Sequence, residues 1–395
     1  MEANYSQKPR CNSVMFPAKN TRDTRRRIFP LRWWLQLGCL LCLLVGIMLW
    51  QRAPQALQNS TQTLEPGLTL RKFAHRTPEG ATQIYLVRGA KKAGWRLQMA
   101  LAQGTVLQRE TVSQIAQREK APVAVNGGFF AYDGAALGAV KKDGDWVRLP
   151  WKNRTALGLM KDGTYRIGNL RGTIEVEING AKYNDAALNG SAPADGLAVL
   201  TSHYGTIYRL KPGESALEVT NGKVVRLVTN GSANIRAGGF LIVTRGVSVS
   251  SVAKAEAGQN VTWKVQAMPA DWDNYPTILG AGPRLVSGGI ARETSKEEEF
   301  RPDVLLRGSR TGIGIAANGD VLFFIADGND ISSPGLTLPE LAQLMAKEGA
   351  QEALHMDCGP SSVLIINGQI ANRPWSNQPS GLNEPTVPNA LLITR

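Results

Sequence analysis

The segment EALHMDCGPSSVLIINGQI, residues 352–370, places a short polar turn between two apolar runs. The runs at 353–356 and 363–366 are too short for helices, and the second is rich in β-branched residues, so we expect two strands. The pair Asn367-Gly368 that follows favours a type I′ turn, which needs a positive φ at both central positions. The segment therefore predicts a strand, a tight turn, a second strand and a hairpin.

The polar turn at residues 357–362 concentrates chemically useful groups. Asp357 can point a carboxylate into a cleft from the end of a strand, and Gly359 lets backbone amides approach an anion closely. Ser361 and Ser362 offer hydroxyls to phosphate or sugar oxygens. The alternative is an ordinary turn, in which these side chains bond only to neighbouring backbone amides.

Charge is unevenly distributed along the 395 residues, whose formal net charge is +13. Residues 1–52 contain nine basic and two acidic side chains and so carry +7, which leaves +6 for the remainder. This residual excess is compatible with an anionic ligand. No arginine-rich or aromatic-interleaved patch argues for nucleic acid, so the sequence predicts no nucleic-acid partner.

An uncharged apolar run at residues 33–50, WWLQLGCLLCLLVGIMLW, follows the basic N-terminal region. At about 1.5 Å per helical residue it is long enough to cross a bilayer core, and tryptophans at both ends suit the membrane interfaces. The basic flank predicts a cytoplasmic N-terminus, so we expect a single-pass inner-membrane protein with a periplasmic or extracellular domain. A cleaved signal peptide is the alternative, with residues 53–56 as a poor cleavage site.

The domain boundaries follow from this topology. We expect a basic cytoplasmic tail at 1–32, a transmembrane anchor at 33–50, a polar linker at 51–66 and a folded domain at 67–395. Of the four cysteines, only Cys358 falls in the exported part, so that part is predicted to have no internal disulfide.

Turn residues dominate the pattern of the folded part. Twelve Asn-Gly or Asp-Gly pairs punctuate the chain, and several separate alternating apolar runs, which is typical of hairpins. Helices are few: one is predicted at 111–120, and another begins at a capping box formed by Thr337 and Glu340. We therefore predict an α+β domain of mostly antiparallel or mixed sheet with few helices, preceded by the one transmembrane helix.

A glycine pair follows another predicted strand, at residues 121–125. There Asn126-Gly127-Gly128 allows a left-handed turn with exposed backbone amides. The two phenylalanines that come next would supply a wall on which a sugar ring stacks. The alternative is a turn followed by two phenylalanines of the core.

Arginine-threonine pairs at 154–155 and 310–311 each lead into a strand and then a glycine turn at the same spacing. Two such arginines facing one cleft would suit a phosphate, and Arg284 follows a further glycine-rich turn. The alternative is a recurring hairpin with solvent-exposed arginines. Asp327 resembles Asp357, because it also follows a short apolar run.

Six segments, taken in order along the chain, resemble the phosphodiester glycosidase family, which includes the enzyme that uncovers mannose 6-phosphate on lysosomal hydrolases. They are VNGGFF (125–130), GAGPRLVSGG (280–289), RTGIGIAANGD (310–320), FFIADG (323–328), GLTLPELAQLM (335–345) and MDCGPSSV (356–363). The resemblance covers roughly residues 65–395. This chain departs from the family pattern at Cys358 and Pro360, where glycines are usual, and at Asn329, where arginine is usual.

The resemblance implies hydrolysis of a sugar-1-phosphodiester at the anomeric carbon, with a phosphorylated glycan or glycoconjugate as substrate. It implies Asp357 as the essential carboxylate and Asp327 as its partner. It also implies a set of substrate-binding groups, among which the arginines hold the phosphate. This set is Asn126, Gly127, Gly128, Arg154, Arg284, Arg310, Thr311, Gly359, Ser361 and Ser362.

Other roles are compatible with the same residues. Asp327 and Asp357 could bind a divalent cation, Ca²⁺ or Mg²⁺, that holds the phosphate; the sequence establishes no cofactor beyond this alternative. A non-catalytic module that binds envelope glycan or phosphate, in exopolysaccharide or cell-wall metabolism, would explain the altered turn. A serine or cysteine acyl hydrolase would use Ser361 or Cys358 as its nucleophile.

Overall fold

Antiparallel strands form most of the structure, a computed structural model that describes residues 57–252, 254–328, 333–374 and 384–395. The predicted cytoplasmic tail, the predicted anchor and the first residues of the linker lie outside the described residues. Among the described helices, none has the length and apolarity needed to cross a membrane.

The strands and helices are numbered in chain order. The first strands are β1 (Ser60–Glu65), β2 (Leu68–Thr77), β3 (Gly80–Gly89), β4 (Arg96–Leu101), β5 (Glu110–Thr111), β6 (Val123–Asn126), β7 (Val140–Lys142), β8 (Asp145–Arg148), β9 (Arg154–Leu159) and β10 (Tyr165–Ile178). The next are β11 (Ala181–Asn184), β12 (Ala187–Leu188), β13 (Leu197–Leu200), β14 (Ile207–Arg209), β15 (Glu214–Thr220), β16 (Lys223–Val228), β17 (Ser232–Asn234), β18 (Gly239–Arg245), β19 (Val261–Met268) and β20 (Thr277–Gly280). The last are β21 (Arg284–Ser287), β22 (Ile290–Ala291), β23 (Arg310–Ala316), β24 (Val321–Ala326), β25 (Ala350–His355), β26 (Leu364–Ile366), β27 (Gln369–Ile370), β28 (Thr386–Val387) and β29 (Asn389–Thr394).

The helices are short and few. The α-helices are α1 (Val112–Arg118), α2 (Ser248–Val252), α3 (Pro302–Leu305) and α4 (Leu338–Lys347). Single 3₁₀ turns cover Lys91–Ala93, Ala102–Gly104, Ala270–Asn274 and Gly359–Ser361.

Four larger sheets organise the strands. The eight-stranded sheet has the order β1-β2-β3-β24-β23-β25-β21-β22, and a five-stranded sheet has the order β27-β26-β6-β29-β4. A second five-stranded sheet runs β12-β13-β18-β15-β16, and a seven-stranded sheet runs β11-β10-β9-β20-β7-β8, with β19 also paired to β10. Among the described strands, β12 and β13 form the one parallel pair. The predicted mostly antiparallel architecture with few helices is therefore confirmed.

The largest apolar core joins the eight-stranded sheet to the five-stranded sheet that contains β6. Val87 and Phe323 come from the first sheet, and Val125 and Leu391 come from the second; all four are fully buried. Because alternate residues of a strand face opposite sides, the other face of β24 presents Phe324 to helix α4. The strands that end near Asp357 are thus buried on both faces.

Local signals account for the main turns and for the long helix. At the predicted hairpins, Asn221 and Gly222 have φ of 51° and 70°, and Asn367 and Gly368 have 49° and 77°, as a type I′ turn requires. Thr337 caps α4 by accepting from the amide of Glu340, whose side chain accepts from the Thr337 amide in return. These predictions are confirmed.

Strand β1 corrects the predicted linker. Residues 60–65 pair with β2, from Ser60 opposite Lys72 to Glu65 opposite Leu68. All six side chains of β1 are exposed or half-buried. An edge strand is held by backbone hydrogen bonds on one side and needs no apolar side chains, so its composition resembles that of a linker.

Two glycines of β23 allow α4 to lie directly against the sheet. A Cβ atom added at Gly312 would stand 2.7 Å from the sulfur of Met345, and one at Gly314 would stand 3.4 Å from the terminal methyl carbon of the same residue. Neither glycine has a positive φ. Their role is therefore close packing and not an unusual backbone conformation.

We predict that Gly312→Ala lowers the free energy of unfolding by about 1–3 kcal/mol, because the added methyl overpacks the contact with Met345. Gly168→Ala in β10 is the matched control, since its Cβ would meet neighbours only at 3.5 Å or more. Urea unfolding of both variants measures the difference. Equal stability of the two variants would contradict the close-packing role of Gly312.

Candidate active site

Two aspartates follow strands that end at the same edge of the eight-stranded sheet. Strands β24 and β25 both pair antiparallel with β23, so they run parallel to each other and their carboxyl ends coincide. Asp327 follows β24 and Asp357 follows β25. Two inter-strand spacings separate the chains, or about 10 Å. The predicted placement of both carboxylates at strand ends is therefore observed.

Asp357 is half-buried at the start of the polar turn. Its Oδ1 accepts from the amide of Cys358 at 2.9 Å, and the Ser361 side chain also bonds to the carboxylate. Burial raises the pKa of Asp357 to about 6, although both hydrogen bonds lower it. The carboxyl group therefore titrates close to neutral pH, where acid–base chemistry is most effective.

A buried asparagine fixes the position of this turn. The Nδ2 of Asn126 donates to the Asp357 carbonyl at 2.8 Å, and its Oδ1 accepts from the Thr311 hydroxyl at 2.8 Å. Asn126 and Thr311 are both fully buried. Asn126 and Thr311 were predicted to contact substrate, but the structure assigns them to positioning, because each bonds to the protein itself.

The glycine pair after Asn126 does not expose its amides as predicted. The Gly127 amide donates to the Asn389 carbonyl at 3.0 Å, and the Gly128 amide donates to Asn389 Oδ1 at 2.9 Å. Neither glycine has a positive φ. A Cβ at Gly127 would collide with Asn389 Oδ1, and one at Gly128 would stand 2.5 Å from the Gly280 carbonyl. These glycines are required for close approach, and the predicted substrate-binding amides are already occupied.

Of the remaining turn residues, one is hydrogen-bonded within the protein and the other keeps a hydroxyl that is unbonded in the described part of the chain. Gly359 has a φ of 65°, its amide donates to the Ser309 carbonyl at 3.3 Å, and its carbonyl accepts from the Ser309 hydroxyl at 2.8 Å. The predicted contact of the Gly359 amide with an anion is therefore replaced by a contact with Ser309. The Ser362 hydroxyl is fully buried and has no hydrogen-bond partner among the described residues.

Asp327 is 2% exposed and fully engaged by the protein. Its Oδ1 accepts from the Arg373 amide at 2.9 Å, and its Oδ2 accepts from Arg373 Nε and the Tyr85 hydroxyl, each at 3.1 Å. The pKa of Asp327 is raised above its ordinary value, because the effect of burial outweighs that of the hydrogen bonds and of the Arg373 charge, which both lower it. Asp327 thus anchors the chain at Arg373, and its predicted role as a second reacting carboxylate is not supported.

The divalent-cation alternative finds no favourable donor set here. A guanidinium 3.1 Å from Asp327 already neutralises the carboxylate that would hold the cation. Within the described ranges, no three His, Cys, Asp or Glu side chains come close enough together to bind a metal ion.

Arg310 is buried and binds backbone carbonyls instead of solvent. Its exposed fraction is 1%. Nε donates to Leu336 and Nη1 to Val304, each at 2.9 Å, and Nη2 donates to Leu306. Nη1 also lies 3.4 Å from the sulfur of Cys358. The guanidinium therefore ties the loop around α3 to the sheet, and the predicted phosphate clamp at Arg310 is not supported.

Arg284 is also held by the protein. Its guanidinium donates to the Ile167 carbonyl and to the Ser287 hydroxyl, and it lies 4.0 Å from Glu352. Its side chain is 21% exposed. Arg284 therefore braces β10 against β21, and its predicted role in phosphate binding is not supported.

Arg154 is stacked between two aromatic rings. Its guanidinium carbon lies 4.4 Å from the ring centre of Trp151 and 3.9 Å from that of Phe300. Nε and Nη2 donate to the carbonyls of Glu298 and Glu299 at 3.2 and 3.0 Å. Arg154 thus belongs to an aromatic stack, and the predicted pair of phosphate-binding arginines does not form.

The sequence analysis did not identify three residues that the structure places at the site. His355 is fully buried, both ring nitrogens lack a hydrogen-bond partner among the described residues, and burial holds its pKa well below the ordinary value. Glu298 is 2% exposed and accepts from Thr155 at 2.7 Å and from the Arg284 amide at 2.9 Å. Asn389 begins an apolar strand, and Asn126 ends one. A polar residue next to an apolar run is the sequence feature that could have indicated Asn389.

We predict that Arg310→Ala lowers the free energy of unfolding by about 3–5 kcal/mol, because a buried guanidinium is removed and the three backbone carbonyls that it holds lose their charged donor. Arg292→Ala, at an exposed arginine, should stay within about 0.5 kcal/mol of wild type. Denaturant unfolding measures both. An Arg310→Ala protein of unchanged stability that binds phosphorylated substrate poorly would support the predicted phosphate-binding role of Arg310.

A phosphodiester glycosidase family model matches residues 214–394. Human and mouse N-acetylglucosamine-1-phosphodiester alpha-N-acetylglucosaminidase are 32% and 30% identical to this chain over 82 residues, which cover 21% of this chain and 16% of each relative. The chain therefore matches less than a fifth of the length of these curated relatives.

Two solved structures share the architecture. A hypothetical protein from Synechocystis is 25% identical with a TM-score of 0.75, over 86% of this chain and 64% of that chain. A protein from Burkholderia pseudomallei K96243 is 22% identical with a TM-score of 0.66, over 80% and 74% of the respective chains, which shows a common fold. The family match at residues 214–394 confirms the resemblance drawn from the sequence motifs: this part of the chain is similar to phosphodiester glycosidase domains.

Proposed function

We propose that the protein hydrolyses a sugar-1-phosphodiester at the anomeric carbon, with Asp357 as the reacting carboxylate. The observation that carries this proposal is the contrast between the two strand-end aspartates. Asp327 is buried against Arg373, whereas Asp357 is half-buried and has no ion-pair partner among the described residues. Asp357 alone of the two combines access with a pKa near neutrality.

The chemistry of the substrate suits a single carboxylate. A phosphomonoester is a weakly basic leaving group, so the bond to the anomeric carbon breaks with little help from a general acid. The electron pair of that bond stays on the phosphate oxygen, and positive charge develops on the sugar ring. Ionised Asp357 stabilises this charge, and it accepts a proton from the water whose oxygen joins the anomeric carbon.

The phosphate needs a cation, and we assign this role to Arg373. Arg373 lies at the sheet edge that carries both aspartates, where its Nε donates to Asp327 and its side chain is 27% exposed. Its neighbour Asn372 donates to the Ser362 carbonyl at 2.9 Å, which joins this segment to the polar turn. Ion pairing with Asp327 fixes the orientation of the guanidinium before substrate binds.

The rival functions gain less support from the geometry. Burial raises the pKa of Cys358 to about 11, so its thiol is protonated at neutral pH and is a poor acyl nucleophile. A non-catalytic glycan-binding or phosphate-binding module remains the second candidate, because Cys358 and Pro360 alter the turn. We place the substrate in the cell envelope, as a phosphorylated glycan or glycoconjugate, on the strength of the apolar run at 33–50.

We predict that Asp357→Asn reduces turnover of an N-acetylglucosamine-1-phosphate methyl diester by roughly 10²–10⁴-fold. Wild-type activity should rise with pH through about 6, as the carboxylate ionises. Because burial raises this pKa, the stability linked to Asp357 is present at low pH and is lost as the pH rises through about 6. The variant should therefore melt above wild type at pH 8, by a margin that shrinks at pH 5.

Asp327→Ala is the contrasting variant. It removes the partner of Arg373 and should lower the free energy of unfolding by about 2–4 kcal/mol. Wild-type protein that binds the diester without any turnover would favour the binding module. An Asp357→Asn protein that retains full turnover would exclude Asp357 as the reacting group.

A further inference from the structure

A partly exposed tryptophan stands at the outer end of a continuous aromatic stack. Trp151 is 43% exposed, and Arg154 covers one face of its ring at 4.4 Å. Arg154 in turn rests on Phe300, whose ring centre is 5.6 Å from that of Phe129. Phe129 lies 6.0 Å from the ring of His355, which precedes Asp357 by two residues. The stack therefore leads from the surface to the reacting turn.

Arg154 fixes the orientation of the Trp151 ring by packing against one of its faces. Arg154 is held by two carbonyl oxygens, of Glu298 and Glu299, in addition to its stacking contacts. A guanidinium fixed in this way cannot rotate freely, so the indole plane against it is also fixed. A preoriented aromatic face binds a ring with a smaller entropy loss than a mobile one.

Two charged side chains and one narrow slot lie next to Trp151. Lys152 and Glu299 form an ion pair on exposed side chains, and the Lys152 ammonium lies over the Trp151 ring at 5.8 Å from its centre. Trp151 also borders a slot lined by Gly138, Gly280 and Arg154 that has room for roughly one water molecule. The slot is too narrow for a sugar ring, so a sugar at Trp151 lies on the exposed part of the indole and outside the slot.

We propose that Trp151 is a sugar-binding platform that holds the glycan part of the substrate apart from the reacting phosphodiester. The sugar ring stacks on the exposed part of the indole, and its hydroxyls bond to Lys152 and Glu299. The substrate is then an oligosaccharide or longer glycan chain that carries the phosphodiester, and not a small diester alone. This inference rests on the proposed function for its substrate and extends it from the bond cleaved to the chain that bears it.

The kinetic test compares two substrates that differ only in length. One is an N-acetylglucosamine-1-phosphate methyl diester, and the other has the same diester on a tetrasaccharide. Trp151→Ala should raise KM for the long substrate by roughly tenfold, as for the loss of one aromatic stacking contact, with kcat unchanged. KM for the short substrate should not change, and Trp151→Phe should restore most of the long-substrate KM.

A binding measurement separates this inference from the proposed reaction. In an Asp357→Asn background, calorimetric titration with a tetrasaccharide that lacks phosphate should give a Kd about tenfold weaker after Trp151→Ala. Ile207→Ala, at an exposed apolar residue of β14, is the control and should leave the Kd unchanged. Melting temperatures verify that each variant is folded.

The outcomes are distinct. Tetrasaccharide binding that depends on Trp151, in a protein that cleaves neither diester, would support the platform and overturn the proposed reaction. Cleavage of both diesters with the same KM before and after Trp151→Ala, and with no change in Kd, would overturn the platform and leave the reaction standing.

Discussion

A single buried amide, that of Asn126, joins the two sheets at the point where the candidate site forms. Asn126 ends β6 of the five-stranded sheet, and its side chain accepts from Thr311 of the eight-stranded sheet. The same side chain donates to the Asp357 carbonyl, and the Asp357 amide donates to Gly127. The position of the Asp357 carboxylate therefore depends on how the two sheets meet, and not on the turn alone.

This dependence explains why so many polar groups at the site face inward. Fixing a carboxylate at a half-buried position costs solvation free energy, which the surrounding hydrogen bonds offset only in part. Asn126, Ser309 and Asn389 bond to backbone groups of the neighbouring turns, so they stiffen the site without contacting substrate. The site gives up some stability to keep one carboxyl group half-buried with a raised pKa.

The sequence predicts those features that local chemistry decides. The Asn367-Gly368 hairpin needs two positive φ angles, and the helix after Thr337 needs a capping residue, so both can be recognised from a few letters. The strand-end position of Asp327 and Asp357 follows from short apolar runs. The proposed reaction comes from the family resemblance, because no local sequence pattern predicts it.

The sequence does not reveal which polar groups the folded protein uses up. The sequence does not show whether the guanidinium of an arginine faces a cleft or binds backbone carbonyls. The guanidinium of Arg310 binds three carbonyls, because the loop around α3 folds over it. The amides of Gly127 and Gly128 are likewise bound by Asn389, which is 261 residues from Gly128 in the sequence. Long-range contacts of this kind decide the roles of site residues, and one sequence without its fold does not record them.

Hydrolysis in ¹⁸O-labelled water tests the central claim most directly, because it shows which bond the enzyme breaks. The substrate is an N-acetylglucosamine-1-phosphate diester, and mass spectrometry locates the label in the products. Attack at the anomeric carbon, assisted by Asp357, predicts one ¹⁸O in the released sugar and none in the phosphomonoester. Label in the phosphomonoester would mean attack at phosphorus, and it would contradict a glycosidase mechanism.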